Sequence, residues 1–209
     1  MPLLPSLETL FNITYFSLEN PRQYSMLNAG EQKELIDVAR KSIRRQVCGG
    51  PAQNPEELPQ RRSDDDPLYA PSGAFVTIYK REELRGCLGL IVSEAPLVET
   101  VAELAARAAT EDPRFASVSE EELDDVHVEI SILSPFTEIF SIDEINVGTH
   151  GLFIQAGMYR GLLLPQVAVT HHWDKVQFIE ETCVKAGLPR DQWKHAETKI
   201  FIFSAEIVK

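Results

Sequence analysis

Apolar residues recur along this chain in two rhythms, one of three to four residues and one of two, and the switches between them mark its elements. Leu35, Ile36, Ala39 and Ile43 follow spacings of one, three and four, which predicts a helix over 31–47 stopped by Gly49-Gly50-Pro51. The rhythm changes at Ala74-Phe75-Val76-Thr77-Ile78-Tyr79. A charged turn at 80–83 then leads into a second strand over 84–92, and the two predict a hairpin. Ser93 is placed to cap the next helix, Pro96 suits its first turn, and Leu97, Val98, Val101, Leu104, Ala105 and Ala108 form its apolar stripe. Asp112-Pro113-Arg114-Phe115 ends it, because the residue before a proline resists the helical conformation.

Val126, Val128, Ile130 and Ile132 alternate with His127, Glu129 and Ser131 as a half-buried strand. A further edge strand is expected over 137–142, and a second hairpin from 151–155 and 161–164, ending at Pro165-Gln166. A helix over 174–186 would turn Val176, Phe178, Ile179 and Val184 inward and stop at Gly187, and one last strand covers 199–208. This mixed order predicts an α+β fold rather than a doubly wound parallel sheet. Residues 1–29 lack a steady rhythm and are expected to be an N-terminal extension to a domain over 30–209. The segment 51–72 holds five prolines and the run Asp64-Asp65-Asp66, so a long surface loop is expected, either functional or mobile.

At 209 residues and 44% hydrophobic, the chain suits one domain or two small ones packed together. Three cysteines, Cys48, Cys87 and Cys183, leave one unpaired in any disulfide scheme and have no zinc spacing, which points to a reducing compartment. Pro2, Pro5 and Glu8 stand where a secretory leader would be basic and then apolar, and no run is long enough to span a membrane. A cytoplasmic protein is the expectation. The net charge of -12 argues against general nucleic-acid binding, which depends on clustered Lys and Arg. The histidines form no metal motif, phosphate-binding glycine loops are absent, and no metal or cofactor is expected.

Candidate chemistry concentrates in Leu84-Arg85-Gly86-Cys87-Leu88-Gly89. On a regular strand Arg85 and Cys87 share a face, roughly 6 to 7 Å apart, within reach of a flexible guanidinium. Such a neighbour favours thiolate, whereas burial opposes it. Gly86 and Gly89 leave bare backbone for a ligand, a bulge or another segment. Cys87 is thus a candidate nucleophile with Arg85 as thiolate stabiliser or anion binder; equally, Cys87 packs as a small apolar group and Arg85 satisfies a carboxylate such as Glu129. His171, beside His172, is the candidate base or an exposed loop residue. Gln166 is a candidate oxyanion donor or a turn residue. Arg114 binds an anion, or pairs with Asp112 in a turn that buries Phe115. Trp173 and Trp193 wall a pocket or pack in the core.

Several segments together resemble one family: Gly73-Ala74-Phe75-Val76-Thr77, the hexapeptide at 84–89, Asp112-Pro113-Arg114-Phe115, Glu129-Ile130-Ser131, GLLLPQVA at 161–168, and Lys185-Ala186-Gly187-Leu188 followed by Trp193. They look like the AMMECR-type domain, also called AmmeMemoRadiSam system protein A, over roughly residues 30–209. Leu88 departs from the isoleucine usual in the hexapeptide, a change of one aliphatic side chain for another. The resemblance implies two unequal, interleaved subdomains with the hexapeptide at or near a cleft between them. It also implies partners, a Memo-type protein and a radical S-adenosylmethionine protein, but no settled reaction. An accessory or binding role is the first expectation. A cysteine-dependent enzyme acting on a small carbonyl or acyl ligand is the alternative.

Overall fold

The computed structural model describes residues 26–51 and 54–209. The expected extension therefore lies, over 1–25, outside the described residues. At its end Leu27 is buried, and Asn28 caps α1 (Ala29–Val47) through a capping box with Glu31. The buried positions Leu35, Ile36, Val38, Ala39, Ser42 and Ile43 occupy the predicted face.

Two antiparallel sheets of four strands carry the fold. The first has the order β2-β1-β3-β8, from β1 (Ala74–Lys80), β2 (Glu83–Leu90), β3 (Val126–Leu133) and β8 (Ala205–Val208). Helices α1 and α2 (Leu97–Thr110) pack on one face of it, over Ala74, Val76, Ile78, Val128, Ile130 and Ile132. The second has the order β4-β7-β5-β6, from β4 (Thr137–Ile139), β5 (Gly151–Ala156), β6 (Tyr159–Leu163) and β7 (Lys199–Phe203). Its core of Leu152, Ile154, Phe178, Ile179 and Cys183 lies under α3 (Pro165–Thr170) and α4 (Lys175–Lys185). The architecture is α+β, as the order of elements predicts; the sheets, expected to be mainly antiparallel or mixed, are both antiparallel, and each has its own core, as the resemblance implies.

The interleaving arises at two serines. The single strand expected over 199–208 breaks at Ser204, so β7 belongs to the second sheet and β8 returns to the first. Its neighbour leaves the first sheet at Ser134, between β3 and β4. The crossings are bonded to each other: the Ser134 N–H donates to the Ser204 carbonyl at 2.9 Å, and the Ser204 N–H to Ser134 Oγ at 2.8 Å. The break is not visible in the sequence, because the strands on both sides of Ser204 are apolar and only the Ser134 hydroxyl stands in for a ladder bond.

Two further expectations change. Ser93 does not cap α2; its hydroxyl lies 2.8 Å from Thr100 Oγ1 inside the first turn, and Pro96 holds the cap position without a side-chain bond. In α4, Thr182 and Cys183 face inward with Phe178 and Ile179, while Val176 and Val184 are exposed, because the helical phase set by Phe178 and Ile179 repeats four residues on. Proline-rich 51–72 is fastened where it is described. Asp66 is buried and accepts from the Arg62 guanidinium and from two backbone N–H groups, and Leu68 is fully enclosed in the first core. No described helix is long and apolar enough to cross a membrane.

Candidate functional site

The hexapeptide runs along β2, an outer strand of the first sheet, and the register places its residues in different environments. Gly86 pairs with Ile78 on the helix-covered face, where a Cβ would stand 2.3 Å from the carbonyl oxygen of Ala108 in α2. Its bareness serves close packing of sheet on helix. Cys87 pairs with Thr77 on the opposite face, and the Thr77 hydroxyl donates to its sulfur at 3.3 Å. Gly89 lies beneath the Phe75 ring, 2.1 Å from where a Cβ would stand.

Arg85 does not serve the sulfur in this structure. The register slips by one residue between Ile78 and Tyr79, leaving Arg85 as the extra residue of a β-bulge, which redirects its side chain. Its guanidinium grips Glu122 at 3.1 and 2.9 Å and donates to the carbonyls of Ala116 and Ser117. Glu129, the carboxylate suggested from sequence, instead binds Lys209 at 2.8 Å.

Arg114 supplies the cation near Cys87. Asp112 and Arg114 close the free side of β2 as a neighbouring strand would: the Cys87 N–H donates to Asp112 Oδ2 at 2.8 Å, and Arg114 Nη2 reaches the Cys87 carbonyl at 3.4 Å. Arg114 also binds both oxygens of the buried Asp112, at 3.0 and 2.7 Å. Covering an open sheet edge with charged side chains prevents unwanted strand pairing. Burial by itself would raise the Asp112 carboxyl, but the Arg114 guanidinium and the N–H groups of Cys87 and Arg114 hold it below the ordinary range.

Cys87 is half-buried, and that burial pushes its thiol above the ordinary value, against the opposing pull of the Thr77 hydroxyl and of Arg114. Among the described residues its partners are Thr77, Asp112 and Arg114, and no histidine is among them. His171 caps the C-terminus of α3 in the second subdomain, and its ring stacks on Trp173 at 4.6 Å. Trp173 in turn packs against the second core. Gln166 is exposed in the first turn of α3, where its carbonyl accepts from the Thr170 hydroxyl. Cys87 and Arg114 thus come together, whereas Arg85, Gln166, His171 and Trp173 each have other surroundings.

Sequence reasoning missed the outer face that Cys87 shares. Register places Cys87, Thr77 and Glu129 in one row, continued by Lys209. Beside it Tyr79 stacks on His127 at 5.4 Å. The polar partners in the alternation of β3 were the available signal, since a strand with one apolar face presents the other set outward.

Residues 36–208 match the family model described as AMMECR1. The chain belongs to the AMMECR1 family. A relative from Methanothermobacter thermautotrophicus is 39% identical over 193 residues, covering 88% of this chain and 97% of the relative. One from Thermococcus gammatolerans is 42% identical over 184 residues, covering 83% and 87%. The crystal structure of an uncharacterised protein from Pyrococcus horikoshii is similar at a TM-score of 0.70 and 37% identity, covering 83% of this chain and 88% of that one.

Differences in exposure among the three thiols of this AMMECR1 protein fix an order of reactivity. Cys48 is exposed at the C-cap of α1, Cys87 is half-buried, and Cys183 is fully enclosed. Alkylation of the folded chain by iodoacetamide near neutral pH should proceed in the order Cys48, Cys87, Cys183, with Cys48 at least about tenfold faster than Cys87. Site-resolved mass spectrometry reads the order.

Proposed function

We propose that this AMMECR1 protein is an accessory or binding component of the cytoplasm that docks a Memo-type protein and a radical S-adenosylmethionine protein through the outer face of its first sheet. The observation that carries this reading is the company of Cys87: a donor hydroxyl, a carboxylate and a guanidinium already bound to that carboxylate, with no histidine among the described residues beside it. A cysteine nucleophile needs a base or a lowered thiol pKa, and burial drives this thiol the other way. The row Cys87, Thr77, Glu129 and Lys209 offers both signs of charge and two neutral groups, a combination suited to directional polar contacts with a partner. The unpaired thiols accord with a reducing compartment.

Sedimentation velocity of the full chain with each purified partner tests the reading. Association is expected to survive Cys87→Ser and to weaken about tenfold with Thr77→Arg, which puts a long cation at the centre of the row. No association with either partner in any cofactor state would overturn it.

A further inference from the structure

A second recognition feature lies on the helix-covered side of the first sheet, away from Cys87. The C-terminal half of α1 holds Arg40, Lys41, Arg44 and Arg45, four of the chain's 20 basic residues, in a protein of net charge -12. Arg40, Ile43 and Arg44 lie on one side of the helix, at spacings of three and four. They line a groove of about 300 Å³ with Leu123, Asp124, Val126 and Val128. Its floor is apolar: Ile43 and Val128 are buried, and Leu123 and Val126 pack against the first core.

The rim is cationic and incompletely satisfied. Arg40 is exposed and makes no ion pair or hydrogen bond among the described residues. Arg44 binds Asp124 at 2.8 Å, but both side chains are largely exposed, so water screens the pair and its exchange for another carboxylate costs little. Guanidinium groups match carboxylates in two-point geometry, and an apolar floor between them selects an aliphatic side chain.

We propose that this groove binds an acidic, leucine-bearing segment of a protein partner. The leucine covers Leu123 and Val126, above the enclosed Ile43 and Val128, and flanking carboxylates meet Arg40 and Arg44. The groove is open and lies at the lower limit of volume for sites that enclose a small molecule, roughly 300 Å³, which favours a segment laid across it over a free ligand. The inference is independent of the docking face proposed above, because β3 sends Val126 and Val128 to one side of the sheet and Glu129 to the other.

The test is an amide chemical-shift titration of the full chain with the probe acetyl-Glu-Asp-Leu-Glu-Leu-Asp-amide, alongside its Gln/Asn counterpart. Shifts are expected at Ile43, Leu123, Val126 and Val128, with affinity about fivefold lower for the neutral probe and for Arg40→Ala. Arg40 is exposed and has no ion pair or hydrogen bond among the described residues, so its removal leaves the fold intact, and Thr77→Arg should leave probe binding unchanged. Equal affinity of the neutral probe, shifts confined to other surfaces, or octanoate displacing the probe at equal affinity would each overturn the proposal.

Discussion

Gly86→Ala should lower the stability of the folded chain by about 3 kcal/mol or more, the largest loss expected from adding a single methyl group to the hexapeptide. The new Cβ meets the backbone carbonyl oxygen of Ala108 at 2.3 Å. Backbone on both sides of the contact leaves no side chain to turn away, so β2 and α2 must separate. Separation opens the core between Ile78 and the alanine face of α2, which packs closely because its side chains are small. Gly89→Ala is the internal comparison. The three atoms nearest its Cβ all belong to the Phe75 ring, which can rotate about its own side-chain bonds, so the loss should be less than half as large. Urea denaturation of the two variants measures the contrast. Equal losses would show that α2 does not press on the strand at Gly86.

Acidification should reveal the second large effect, at Glu122. Arg85 is the main reason its carboxyl falls from 4.5 to about 2; the Ser119 N–H and Lys80 add to the pull, and burial opposes it. A carboxyl held below its unfolded value stabilises the fold above that value, and the contribution fades as pH falls from about 4.5 towards 2. Because the pair lies near the surface, the contribution is on the order of 1 to 3 kcal/mol. Glu122→Gln should therefore be less stable than the wild type by that amount near neutrality, with the gap narrowing steadily below pH ~4.5. Denaturation curves across that range decide it. A gap that stays constant with pH would mean that Arg85 and Glu122 are not coupled in solution.

These two expectations recast the hexapeptide as largely architectural. Gly86 admits a helix, Arg85 ties the bulge to the 116–122 segment, and Gly89 lies under Phe75. Cys87 alone turns a reactive atom to the outer face.

The course of the chain was legible where one face of an element is uniformly apolar, as in α1, the β1–β2 hairpin and β3. It was not legible where a single residue changes phase. Strict alternation put Arg85 beside Cys87, and one extra residue in the strand removed that neighbour. Apolar residues on both sides of Ser204 hid a change of sheet, because each short strand is apolar in its own right. Arg114 was visible as a partner of Asp112, two residues away, but its approach to Cys87 depends on where the turn after α2 lies against β2. Contacts so distant in sequence follow from packing and leave no local pattern.

The pH dependence of Cys87 alkylation, followed residue by residue in the folded chain, tests the central claim most directly. If the sulfur belongs to a docking face and is not activated, its rate should rise with a midpoint above the ordinary thiol value of 9.0. A midpoint at or below pH ~7.5 would contradict that account and establish a stabilised thiolate fit for catalysis.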